Sequence, residues 1–243
     1  MATMPTSFEL LWPAPARPKR GPKPSLTLEG IVSEAIALAD AEGLGNLSMQ
    51  RLAERLGCAK MALYRYVPGK AELTALMLDT AFGTPPETTA AQANSAEPWR
   101  AYLRVWAETI FDRYHAHPWG LELTTGTRPM GPNEMSWLET GLAALDGSGL
   151  TAAERFDATV LLIGHTRSLV QVIGGAASDA DVEAELATQL NVVLLEHGDR
   201  FPHVAAAMAE QAAPEAAAER NNALHFGIDR ILDGLGALIN SRR

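Results

Sequence analysis

Residues 47–78 read LSMQRLAERLGCAKMALYRYVPGKAELTALML, and their punctuation predicts three short helices. Ser48 is a helix N-cap by type, and Met49, Leu52, Ala53 and Leu56 recur at helical spacing until Gly57 stops the run. A second helix is expected from about Ala59 to Val67, ended by Pro68-Gly69, and a third opens near Lys70 with Leu73, Leu76 and Met77 turned inward. Two short helices crossing steeply need a small residue at the crossing and a turn that tolerates left-handed backbone. Ala53 and Gly57 supply them, and Leu63 locks the second helix to the core. That leaves Lys60, Met61, Ala62, Tyr64, Arg65 and Tyr66 facing outward.

Upstream, Thr27 caps a helix with Leu28, Ile31, Val32, Ala35, Leu38 and Ala39 as its apolar stripe, ended by Gly43 and Gly45. Residues 25–82 therefore form one compact helical unit. Before it, residues 1–24 carry Pro13, Pro15, Pro18, Pro22 and Pro24 among Arg17, Lys19, Arg20 and Lys23, a pattern that predicts a flexible basic arm. Residues 83–97 are poor in large apolar side chains and are expected to be a linker. From 98 to 243 the helices lengthen: Trp99–His115, Asn133–Leu145, Ala152–Ile173, roughly Asp181–Glu196 and Arg220–Asn240. No segment alternates with period two, so the expected fold is all-α. It divides into an N-terminal unit of short helices containing a helix-turn-helix and a larger unit of longer helices.

Charge is divided unevenly over the 243 residues. The net charge of −9 argues against a protein that coats nucleic acid. Yet Arg17 to Lys70 holds nine basic and five acidic residues, whereas Ala81 onward holds 11 arginines and 21 acids. All four lysines, Lys19, Lys23, Lys60 and Lys70, lie in the basic part, which suits an anionic partner. A single cysteine, Cys58, excludes an intrachain disulfide framework and a cysteine-based zinc cluster. No signal peptide or membrane-length apolar run is visible, so a cytoplasmic protein without membrane contact is expected. Gly69-Lys70 lacks the other residues of a phosphate loop, and His115 and His117 splay about 200° apart on a helix. No enzymatic activity, metal or cofactor is expected.

A helix the size of 59–67 fits the major groove with its first turn at base edges, while hydroxyls, Lys70 and free backbone N–H groups suit phosphates. The stretch Leu47–Leu78, within residues 28–82, resembles the DNA-binding domain of the TetR family of transcriptional regulators. From Glu97 to Gln171, EPWRAYL, HAHPWGLEL, MGPNEMSWLETGL and FDATVLLIGH are similar to the ligand-binding domain of the tetracycline-repressor-like branch. FGIDRILDGLGALI resembles the last, dimer-forming helix of that branch. The resemblance implies base contacts by Ser48, Gln50 and Arg51, and by Lys60, Met61 and Ala62. It also implies phosphate contacts by Tyr64, Tyr66 (often histidine in relatives) and Lys70. Gln50 and Arg51 are equally readable as ordinary exposed helix residues. The arm residues Arg17, Lys19 and Arg20 are either a solvated tail or a minor-groove anchor.

The helix 152–173 is apolar nearly all round and must be covered on more than one side. The final helix carries Leu224, Ile228, Ile231, Leu232, Leu235 and Leu238 as a stripe, with Gly227 and Gly234 two turns apart. Together they form the natural seam of a homodimer, which sets two reading helices about 34 Å apart to match a palindromic operator. Trp106, Phe111, Trp137, His165, Arg167 and Gln171 are candidates to line a cavity for a small-molecule effector, the competing reading being plain core. The expected function is a ligand-responsive homodimeric repressor. An activator of the same family, or a small-molecule-binding helical protein with vestigial DNA binding, is the alternative.

Overall fold

The computed structural model describes residues 5–14, 26–173, 179–212 and 222–242. Every regular element among them is helical. Around the first core stand α1 (Ser7–Leu11), α2 (Leu28–Glu42), α3 (Met49–Arg55), α4 (Lys60–Leu63) and α5 (Lys70–Phe82). The body is built from α6 (Ala90–Ala93), α7 (Pro98–Ala116), α8 (Gly120–Leu123), α9 (Pro132–Ala144) and α10 (Ala152–Ile173). It continues through α11 (Asp179–His197) and α12 (Pro202–Ala212) to α13 (Ala223–Asn240).

The caps fall where the side chains can make them. Thr27 and Ser48 each accept a backbone N–H three residues on, from Gly30 at 3.1 Å and Arg51 at 3.2 Å. Ile31, Leu38, Leu52, Leu63, Val67, Leu73 and Met77 fill the first core, and Leu103, Trp106, Ile110, Leu145, Leu162, Ile228 and Leu232 fill the second. Helix α5 serves both: Leu73, Met77 and Ala81 enter the first core, Leu78 and Phe82 the second. Within the body α10 packs against α7, α9 and α13. It is nonetheless left with Phe156, Val160, Leu161 and Val172 exposed, as Phe226 is on α13.

Three elements depart from the expectation drawn from sequence. Helix α4 ends at Leu63 instead of reaching Val67, and residues 64–66 continue as a turn toward Val67-Pro68, where the proline disfavours further helix. The chain tightens first, with Tyr66 N–H donating to the Leu63 carbonyl at 2.9 Å. The segment expected as an unstructured arm contains α1. Its prolines, Pro5 before the helix and Pro13 after it, flank it instead of breaking it, and Thr6 and Glu9 close a capping box at its start. A similar box, Thr89 with Gln92, builds α6 inside the expected linker.

Candidate nucleic-acid interface

The turn between α3 and α4 rests on Gly57, whose φ of +64° is left-handed. Cys58 N–H reaches back to the Ala53 carbonyl at 3.0 Å, closing α3 as glycine-capped helices close. Leu63 and Val67 are fully buried beneath α4. With that anchor inward, Lys60 and Met61 stand in solvent, Met61 70% exposed. An unpaired methionine at that exposure gains nothing from the fold, so its apolar surface is free for a partner. Lys60 Nζ lies 5.9 Å from the centre of the Tyr64 ring, which holds the ammonium group near α4. Ala62 and Tyr64 are half-buried.

At the start of α3, Ser48 spends its hydroxyl on the cap, Gln50 donates to Glu54 at 2.7 Å, and Arg51 pairs with Glu42. An arginine carries five N–H donors, so one ion pair leaves Arg51 with others to offer. Lys70 Nζ donates to the Leu44 carbonyl at 3.2 Å, tying the start of α5 to the turn after α2 while two of its protons remain. The Tyr66 hydroxyl donates to the Leu26 carbonyl at 2.9 Å, which braces the chain just ahead of α2. Arg17, Lys19 and Arg20 lie outside the described residues.

In the body, the six residues expected around an effector have these surroundings. Trp106 is fully buried and donates its indole N–H to the Trp137 carbonyl at 3.1 Å, while Trp137 donates its own to the Gly83 carbonyl at 2.9 Å. Both are core residues with satisfied N–H groups, as buried indoles generally are. Phe111 is buried and stacks on His115. His165 contacts the Leu224 carbonyl through Nε2 at 3.1 Å, Arg167 lies over the Tyr114 ring, and Gln171 is exposed. A groove of about 730 Å³ opens between residues 84–88, the start of α7 and α9. Its lining includes Trp99, Tyr102, Ser136 and Thr140, and none of the six.

A buried polar cluster between the two cores escaped the sequence reading. Asp79 is buried on α5, and its carboxylate accepts the Glu134 backbone N–H at 3.1 Å. Asn133 donates to the Asp79 carbonyl at 3.0 Å, and Arg128 and Glu134 form a two-pronged ion pair beside it. Burial pushes the Asp79 carboxyl above the usual aspartate range, opposed by the backbone bond from Glu134. Burial likewise raises the Tyr114 hydroxyl, against the nearby charge of Arg167. One signal was available in the sequence: Leu73, Leu76, Asp79 and Phe82 form a single i, i+3 row, so a carboxylate interrupts an otherwise apolar stripe.

The family model described as "Bacterial regulatory proteins, tetR family" matches residues 31–77, and "Tetracyclin repressor-like, C-terminal domain" matches residues 92–239. The chain belongs to the TetR family. It is a DNA-binding transcriptional regulator, like its relatives, and not an enzyme. It is 38% identical to the HTH-type transcriptional repressor DrrR1 of Streptomyces coeruleorubidus, over 98% of this chain and 87% of that protein. It is 29% identical to the class C tetracycline repressor protein of Escherichia coli, over 83% and 90%. Among solved structures, the Streptomyces coelicolor TetR family protein ActR in complex with actinorhodin aligns with a TM-score of 0.69 and 25% identity. That alignment covers 87% of this chain and 96% of that one. The first family match contains α3 and α4, and the second spans α7 to α13. No helix among the described residues is long and apolar enough to cross a membrane.

Proposed function

We propose that this TetR regulator is a homodimeric repressor that reads a palindromic operator with α4 and is released by a small molecule bound in its body. The observation that carries the reading is the α4 surface: Lys60 and Met61 in solvent above the fully buried Leu63. Lys60 is assigned to a guanine edge and Met61 with Ala62 to a thymine methyl. Ser48, Gln50 and Arg51 flank them, and Tyr64 and Lys70 hold phosphates. The second copy is assigned to the exposed apolar residues of α10 and α13, Val160, Leu161 and Phe226.

The effector is assigned to the body, where the groove beside Trp99 and Tyr102 offers aromatic faces together with the Ser136 and Thr140 hydroxyls. Because a structural neighbour was solved with actinorhodin, that compound is the first probe to titrate. The deciding experiment is selection of genomic fragments by the purified protein, followed by titration of the recovered fragment. A specific, palindromic fragment is expected, with affinity that falls steeply as salt is added. Failure to retain any fragment at low salt overturns the reading.

A further inference from the structure

A five-residue helix is far below the length that holds itself together in water, so α1 exists only because it docks. Leu11 is 4% exposed and belongs to the first core, where α1 lies against α5. Immediately after it, Trp12 donates its indole N–H to the Met130 carbonyl at 2.9 Å, 118 residues away. Met130 lies in the segment between α8 and α9, next to the Arg128–Glu134 pair that surrounds Asp79 of α5. Residues 7–12 therefore touch two parts at once. One is α5, which carries Lys70 and the reading head at its start. The other is the loop of the body that grips the far end of the same helix.

We infer that α1 is a clasp in which Leu11 and Trp12 are positioning residues for DNA reading: they hold α5 to the 124–131 loop and so set the reading head on the body. This rests on the DNA-reading function proposed above. Specific binding by a dimer requires both heads at one spacing, whereas binding to arbitrary sequence requires only phosphate contacts. Loosening the clasp widens the range of α5 angles and penalises the first without touching the second.

The test uses the full chain with Trp12→Phe, which removes the N–H donor and keeps an aromatic ring, and Leu11→Ala, which removes the anchor. Each is titrated against the genomic fragment that the wild type selects and against a scrambled duplex of equal length. Hydrogen exchange is followed at residues 124–131 and along α5. The clasp predicts that the ratio of the two affinities falls roughly tenfold, about 1.4 kcal/mol, while scrambled-duplex affinity holds and exchange at residues 124–131 quickens. An unchanged ratio, or both affinities falling together, overturns it. If the wild type selects no fragment, the DNA-reading function has failed. The exchange measurement then judges the clasp alone, and unaltered exchange overturns it.

Discussion

Trp119 donates its indole N–H to Oδ1 of Asp40 at 2.6 Å, joining α8 of the body to the end of α2 in the reading head. The same oxygen meets His117 Nδ1 at 2.8 Å, and Trp119 itself is buried in the first core. This joint predicts that Asp40→Ala leaves a buried indole N–H without an acceptor, at a cost of about 1–3 kcal/mol. Denaturant unfolding measures it. Asp40→Asn, which keeps a carbonyl acceptor, should lose less.

Lys60 and Lys70 should separate into two kinds of contact. Lys60→Ala is expected to weaken operator binding by roughly 1–3 kcal/mol and relax preference at one base pair, with stability within about 0.5 kcal/mol of wild type. Lys70→Ala is expected to weaken binding to every sequence alike and to reduce the salt slope by about one. It also unties the Leu44 carbonyl, so its melting temperature should fall where that of Lys60→Ala does not. Fluorescence anisotropy over a salt series on two duplexes distinguishes them.

Asp79 sets a pH dependence with a definite sign. Because burial raises its carboxyl above the ordinary value of 3.8, the folded state holds this proton more tightly than the unfolded chain. Its contribution is fully present below that ordinary value and is lost as pH rises through the raised one. At neutral pH the buried charge is a net cost. Asp79→Asn, whose amide oxygen can still accept the Glu134 N–H, is expected to melt higher than wild type at pH 7. The advantage should shrink as the solution is acidified toward 3.8, which calorimetry at several pH values reads directly.

The two glycines of α13 should respond oppositely. A Cβ on Gly227 would collide with the His165 ring, whereas one on Gly234 would meet nothing within 4 Å among the described residues. Gly227→Ala must displace His165 from the Leu224 carbonyl and is expected to cost about 1–3 kcal/mol. Gly234→Ala should gain up to about 1 kcal/mol of helix propensity within the protomer. If the second copy packs on Gly234, the same change weakens dimerisation, which sedimentation at several concentrations would show.

The helix-turn-helix was legible because its determinants are local. Ser48, Gly57 and the spacing of Leu52, Leu63 and Leu73 act within one or two turns, and caps, turns and periodicity are properties of neighbours in sequence. The exposure of Lys60 and Met61 followed from the same periodicity. The bond from the Tyr66 hydroxyl to the carbonyl of Leu26, 40 residues upstream, was not legible, because spacing does not encode such a contact. The place of the body tryptophans was left open for a related reason. An aromatic at helical spacing looks the same whether it lines a cavity or fills one.

By itself the sequence determined an all-α chain whose basic, lysine-bearing front is a reading head and whose acidic remainder is a longer helical body. It could do so because secondary structure and charge partition are written in nearest neighbours. Tertiary structure alone decided that Trp106 and Trp137 close the core, that Asp79 is buried between two cores, and that residues 7–12 fold back onto α5. The first two depend on which distant backbone group satisfies a buried N–H or carboxylate, the third on Leu11 finding the first core, and those choices exist only once the helices have packed.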